Sequence, residues 1–252
     1  MNTTFRSLLL ICFFVITNQV QADTVLITDA NRGIGFALTK LYLKSGYTVY
    51  ATYLSTTKSA ELLEIKNPAL ITIKVDIAKE DSDKIIKQIV KDKPIDILIH
   101  NAALFAHKAN RGPVLDMNEW VDSFKVNTIA PIKISWYLKE NLIKSNQKKI
   151  IAISSRRGSN TVNIQDHYEG RYAYRSSKAA LNSSMIALAQ DFSNVAITVL
   201  MIHPGRVATK MTGFDGISPN QSAINIKHIV DKATLDQTGL FFDAGNGKII
   251  NW

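Results

Sequence analysis

Short runs of β-branched and other apolar residues alternate with longer stretches of helical periodicity along almost the whole chain, and this alternation leaves few folds open. Residues 24–28, 48–53, 69–75, 95–99, 149–154, 197–203 and 240–242 read as strands. Between them, residues 34–44, 59–65, 81–91, 118–144, 172–193 and 221–232 read as helices. Strands that each wait for a crossover helix must pair in parallel, and right-handed crossovers then build an α/β, doubly wound domain. Its central sheet has about seven parallel strands flanked by helices, and its ligand site lies beyond the carboxyl ends of the strands. At 252 residues and 46% hydrophobic content the chain can bury one large core. No internal repeat or low-complexity linker divides residues 23–252, which are expected to form a single domain.

Residues 1–22 are set apart by composition. Arg6 is the only charge before a continuous apolar run, Leu8 to Ile16, and Val20-Gln21-Ala22 offers small residues at its end. This is the pattern of a secretory signal, and the run is shorter than the ~20 residues of a membrane span. The expectation is export to a periplasmic or extracellular compartment with no stable span, or membrane tethering if the leader is not cleaved. Cys12 lies within the run and is the only cysteine, so residues 23–252 can form no disulfide. The net charge of +9 is spread along the chain with no run of five basic residues, which argues against a nucleic-acid partner. Five scattered histidines form no metal-ligand cluster, and no metal is expected.

Chemistry is concentrated in a few places. Tyr174 and Lys178 stand four residues apart on an expected helix, so an ammonium can act on a phenol whose ordinary pKa near ~10 is too high for acid/base work at neutral pH. Ser154-Ser155 ends the fifth strand. After the first strand comes Thr28-Asp29-Ala30-Asn31-Arg32-Gly33-Ile34-Gly35, a glycine-bearing turn that leads into a helix whose unpaired N–H groups suit a pyrophosphate. Asp76, after the third strand, suits either an adenine contact or a helix cap. Asn101, after the fourth, suits either a turn or a cofactor cleft.

Taken together these residues resemble the short-chain dehydrogenases/reductases over residues 24–252. Asn31-Arg32-Gly33-Ile34-Gly35 is similar to the family's cofactor loop, His100-Asn101-Ala102-Ala103 to its Asn-Asn-Ala-Gly segment, and Asn127 to its helix-interrupting asparagine. Ser155, Tyr174 and Lys178 fall on its catalytic serine, tyrosine and lysine, and Pro204-Gly205-Arg206-Val207-Ala208-Thr209 on its nicotinamide-side motif. Residues 153–159, 172–175 and 247–252 resemble the branch holding C-factor proteins and sniffer-type carbonyl reductases. The resemblance implies a Rossmann-type fold and hydride transfer between a nicotinamide and a carbonyl or hydroxyl carbon. In that scheme Tyr174 exchanges the proton, Ser155 binds the substrate oxygen, Lys178 holds the nicotinamide ribose and lowers the Tyr174 pKa, and Asn127 holds a relay water. It also implies cofactor contacts from Thr28, Asn31, Arg32, Gly33, Ile34, Gly35, Asp76, Ile77, Asn101, Ala102, Pro204, Gly205, Val207 and Thr209. A homodimer through the helices at 118–144 and 172–193 is the family's usual assembly.

Tyr53-Leu54-Ser55 ends the second strand without an acidic residue for the 2′-hydroxyl of NAD, and Arg32 suits a 2′-phosphate, so NADP(H) is favoured over NAD(H). Leu54 stands where the family usually has an arginine. Asp29 replaces the first loop glycine, and a carboxylate ~4 Å from a pyrophosphate would cost up to ~4 kcal/mol at an effective dielectric of ~20. Ala103 replaces the last glycine of the fourth-strand segment and costs about 1 kcal/mol if its φ must be positive. Arg156, Arg157, Arg171 and Lys210 flank site positions as a positive funnel suited to an acidic carbonyl substrate. Residues 210–219, with Gly213, Gly216 and Pro219, have the composition of a lid. Two functions stay open on the sequence: a carbonyl reductase or alcohol dehydrogenase, or an exported binding or surface-signalling protein that keeps the fold with catalysis weakened or lost.

Overall fold

In the computed structural model, which describes residues 22–107, 112 and 114–252, seven strands form one parallel sheet in the order β3-β2-β1-β4-β5-β6-β7. They are β1 (Thr24–Ile27), β2 (Thr48–Tyr53), β3 (Leu70–Lys74), β4 (Ile97–His100), β5 (Lys149–Ile153), β6 (Thr198–His203) and β7 (Phe241–Asp243). All seven fall on expected runs, with ends shifted by at most two residues. The order reverses between β1 and β4, which puts the switch-point crevice beside the turn that follows β1.

The period-two alternation of side chains decides which residues face which helical layer. Leu26, Leu98, Ile150 and Val199 pack on one face with Ile134, Leu181 and Phe192. Their neighbours Val25, Ile97, Ile151 and Leu200 pack on the other with Leu38, Ile226 and Val230. The helices are α1 (Gly33–Lys44), α2 (Ala60–Leu63), α3 (Ser82–Val90), α4 (Met117–Phe124), α5 (Ala130–Tyr137), α6 (Lys139–Ile143), α7 (Asn160–Gln165), α8 (Tyr172–Asp191) and α9 (Pro219–Lys232). The expected leader lies outside the described residues, apart from Ala22. Among the described residues no helix is long and apolar enough to cross a membrane.

The single helix expected at 118–144 is broken. A π turn, Lys125–Ile129, separates α4 from α5, and Leu138 separates α5 from α6. Its cause is visible in the chemistry: Pro131 has no N–H to give the carbonyl of Asn127 four residues earlier. The turn widens instead, with the Ala130 N–H reaching back five residues to Lys125. The short helix α7 has no counterpart among the expected elements; Ser159 caps it, its side chain accepting from the Val162 N–H.

Candidate active site

The turn after β1 is locked to the end of β4. Thr28 Oγ1 accepts from the N–H groups of both Asn101 and Ala102 at 3.0 Å. The Asn101 side chain in turn donates to the carbonyls of Thr28 (2.9 Å) and Asp29 (3.0 Å). Gly35 fits against this lock because it has no side chain: a Cβ there would lie 2.2 Å from the Asp29 carbonyl oxygen and 2.5 Å from Asn101 Nδ2. Gly33 adopts φ +50, and a Cβ on it would lie 3.3 Å from Thr209 Cγ2, so the loop after β6 closes over the loop after β1. Neither a side-chain cap nor an acidic residue occupies the first turn of α1. Asn31 donates to the Lys58 carbonyl while its Oδ1 is buried without a partner.

Asp29 takes the left-handed conformation that a glycine would supply, φ 51, and aspartate tolerates it. Its carboxylate accepts from the guanidinium of Arg32, Nε at 3.2 and 3.3 Å and Nη2 at 3.2 Å. Ala103 is not in the left-handed region, so the expected cost of a missing glycine does not arise there. Beside this pair runs a groove of about 510 Å³ that brings Arg32, Asp76, Ile77 and Ala102 together with Thr52, Tyr53, Leu54, Leu104 and Val126. Asp76 Oδ1 accepts from the Ala78 N–H at 3.0 Å, pinning a turn ahead of α3 and not the helix itself.

Ser155, Tyr174 and Lys178 converge beyond the end of β5. Ser155 opens a short turn, its Oγ accepting from the Arg157 N–H at 3.2 Å, and its hydroxyl is hydrogen-bonded to that of Tyr174. Burial pushes the Tyr174 phenol above its ordinary pKa, opposed by the Ser155 hydrogen bond and the charge of Arg171. Lys178 is fully buried; burial lowers its pKa to about 7, and Nζ donates to the Ile153 carbonyl at 2.8 Å, 6.0 Å from the Tyr174 ring centroid. The charge of Arg171 thus acts on the phenol from outside the Tyr174–Lys178 spacing, while Lys178 Nζ stays beside the ring. Asn127 uses its side chain on the loop after β4: Oδ1 accepts from the Leu104 N–H at 2.7 Å, and Nδ2 donates to the Leu104 carbonyl and to Ser177 Oγ, both at 2.9 Å.

Two supporting residues have roles that the sequence alone did not show. Gly158 lets the Ser155 turn lie on α8, since a Cβ would meet the Lys178 carbonyl at 2.9 Å. Asn182 fixes the same junction, accepting from Ser154 Oγ at 2.6 Å and donating to the Gly158 carbonyl. Both roles exist only once β5 and α8 are in contact. On the far side, the Pro204 carbonyl accepts from Ser222, Gly205 takes φ +88, Val207 is buried, and Thr209 caps the turn Lys210–Thr212. The segment expected as a lid is tied at its base by paired backbone bonds, Ala208 N–H to Ile217 and Ile217 N–H to Arg206. Of the four cations expected to form a funnel, Arg156 and Arg157 share Asp166 at 3.7 and 3.3 Å, so their charge is largely offset. Among the described residues no group of three or more His, Cys, Asp or Glu could hold a metal.

Residues 23–216 match the sequence profile of the short chain dehydrogenases. The chain belongs to this family. A short-chain dehydrogenase is an oxidoreductase that interconverts CH–OH and C=O with a nicotinamide dinucleotide, and that coarse function holds here. The protein is 29% identical over 160 residues to C-signal of Myxococcus xanthus, covering 63% of this chain and 93% of that protein. The NADPH-bound carbonyl reductase from chicken fatty liver superposes with a TM-score of 0.84 at 26% identity, over 92% of this chain and all of the other. Carbonyl reductase Sniffer of D. melanogaster gives 0.81 and 27%, with the same coverage. The geometry fits a dinucleotide: the first turn of α1 has no side-chain cap and no acidic residue, and Gly35 keeps side-chain bulk out of the turn after β1.

Proposed function

We propose that this short-chain dehydrogenase is an NADP(H)-dependent carbonyl reductase or alcohol dehydrogenase with Ser155, Tyr174, Lys178 and Asn127 as its catalytic group. The observation that carries the reading is the hydrogen-bonded Ser155–Tyr174 pair, buried beside Lys178 at the carboxyl end of β5. When bound, the nicotinamide supplies or takes up the hydride. Tyr174 gives its phenolic proton to the carbonyl oxygen in reduction and recovers one in oxidation; Ser155 donates to the same oxygen as negative charge develops on it. Burial keeps Tyr174 protonated, the state reduction needs. Lys178 exchanges the Ile153 carbonyl for a ribose hydroxyl, and the Asn127 carbonyl, deprived of an N–H by Pro131, holds the water that returns the proton. Gly33, Ile34 and Gly35 hold the pyrophosphate; Asp76, Ile77, Asn101 and Ala102 border the adenosine; Thr28 and Asn31 support the loop; Pro204, Gly205, Val207 and Thr209 border the nicotinamide. Arg32 supports the preference for a 2′-phosphate.

The substrate is a small carbonyl or alcohol carrying an acidic group, supported by Arg171, which pairs with no carboxylate among the described residues. Residues 1–22 act as a cleaved leader for export, and a homodimer forms on the helical face that exposes Val121, Ile129 and Trp136. Native mass spectrometry of the purified protein checks both, expecting two chains that each begin at Asp23. The second reading, recognition without turnover, rests on the Asp29 carboxylate, and the Asp29–Arg32 pair turns that carboxylate to a cation. NADPH oxidation against a panel of aldehydes and ketones tests catalysis. Tyr174→Phe is expected to lower kcat by about 10²–10⁴-fold with calorimetric NADPH binding retained. NADPH binding with no carbonyl reduced by the parent would leave the recognition reading standing.

A further inference from the structure

A continuous stack of rings and guanidinium groups leads away from Tyr174. Its ring centroid lies 5.2 Å from that of Phe105, and the Arg171 guanidinium lies 5.4 Å from Phe105 and 5.1 Å from Tyr168. Arg157 closes the stack 3.1 Å over the Tyr168 ring. The two arginines differ in charge balance. Arg157 has Asp166 at 3.3 Å, whereas among the described residues no carboxylate pairs with Arg171. Arg171 is also half-buried, so its charge has lost part of its hydration without gaining a counter-ion.

Its position is fixed by backbone as well as by stacking. Arg171 precedes α8 in a left-handed conformation, φ 58 and ψ 41. Arg175, one turn later, donates from Nη1 to the carbonyls of Tyr168 (2.8 Å) and Gly170 (3.3 Å), tying down the loop that presents Arg171. A guanidinium held this way and stacked on aromatic faces retains its planar donors for a two-oxygen anion. Phe105 touches both Arg171 and Tyr174, and the Arg171 charge lowers the Tyr174 pKa, so an anion bound at Arg171 lies within electrostatic range of the reacting group.

We propose that Arg171 is a specificity-determining residue that binds the carboxylate of an aromatic aldehyde or keto acid, whose ring packs on Phe105 while its carbonyl faces Tyr174. This rests on the carbonyl-reductase reading and names its substrate class. The full chain, its Arg171→Ala variant and its Arg171→Lys variant are compared on 4-carboxybenzaldehyde and on the methyl ester of the same compound, with NADPH. The parent is expected to favour the acid over the ester at least tenfold in kcat/KM. Arg171→Ala should lower that ratio at least tenfold through KM for the acid, and Arg171→Lys should restore part of it. Equal use of acid and ester by the parent, or an unchanged ratio in Arg171→Ala, overturns the assignment. If neither compound is reduced, the aldehyde and ketone panel decides the carbonyl-reductase reading. Calorimetric binding of 4-carboxybenzaldehyde then decides the assignment separately: tighter binding by the parent than by Arg171→Ala supports it, and equal binding overturns it.

Discussion

A carboxylate in a phosphate-binding loop is a conflict that only its side-chain direction resolves. Asp29 meets the backbone demand of its position and places its charge on Arg32, which is 60% exposed and is also the residue suited to a 2′-phosphate on the proposed reading. On the proposed NADP(H) reading, a 2′-phosphate would compete with Asp29 for Arg32. Removing the carboxylate frees the cation while keeping a side chain that tolerates φ 51. Asp29→Asn is expected to tighten NADPH binding severalfold and NADH binding less, a modest gain because the pair is exposed to solvent. Calorimetric titration with both dinucleotides checks it, and equal effects on the two would separate Arg32 from the 2′-phosphate. The identity of Asp29 was plain in the sequence. Its partner was not, because an i,i+3 pair across a non-helical turn has no fixed direction until the turn is built.

At the scale of elements, the interruption between α4 and α5 was written in the sequence as Pro131 behind Asn127, yet hydrophobic periodicity ran through both and suggested one helix. Periodicity reports which face is buried; it is insensitive to one widened turn. The π turn frees the Asn127 carbonyl and lets the Asn127 side chain hold Leu104 and Ser177. Pro131→Ala restores the missing N–H. The expected outcome is unchanged or slightly higher stability in urea together with a kcat lowered about tenfold or more, since the carbonyl then has a backbone partner in place of a water. A full-activity Pro131→Ala protein would remove the relay role from Asn127. The strands were legible almost to the residue because both sheet faces are covered, so every strand reads as an apolar run. The short α7 was not legible, because Ser159 and its cap serve a six-residue helix with too few turns to show a period.

Across the whole molecule, burial of bases sets the pH range of stability. His100 is buried with Nε2 2.8 Å from Ser135 Oγ, and burial lowers its pKa to about 3; burial likewise lowers His203 to about 4, opposed by Asp243. Both bind fewer protons folded than unfolded, where histidine titrates near ~6.5, so stability is full above that value and is lost as pH falls toward the folded pKa. For His100 the loss between about pH 6.5 and 4 is on the order of 3 kcal/mol. Lys178 has the same sign in a higher window: with a folded pKa of about 7, stability rises as pH climbs from there toward the unfolded value near ~10.4. Urea midpoints measured from pH 4 to 9 should therefore rise with pH at both ends, and His100→Gln should flatten the acidic limb. A flat acidic limb in the parent would mean that His100 is hydrated in the folded state.

The sequence by itself determined the parallel α/β sheet, its single-domain character and the neighbourhood of Ser155, Tyr174 and Lys178. Strand alternation, glycine placement and helical spacing are local, and a parallel sheet with crossover helices satisfies them together. Tertiary structure alone decided where the charges point. Lys178 turns to the Ile153 carbonyl, Arg171 lies over Phe105, Asp166 offsets two of the four cations at the mouth, and Asp29 faces Arg32. Each outcome is set by which groups lose water together when distant segments meet, and that is a property of the assembled cleft and of no single stretch of chain.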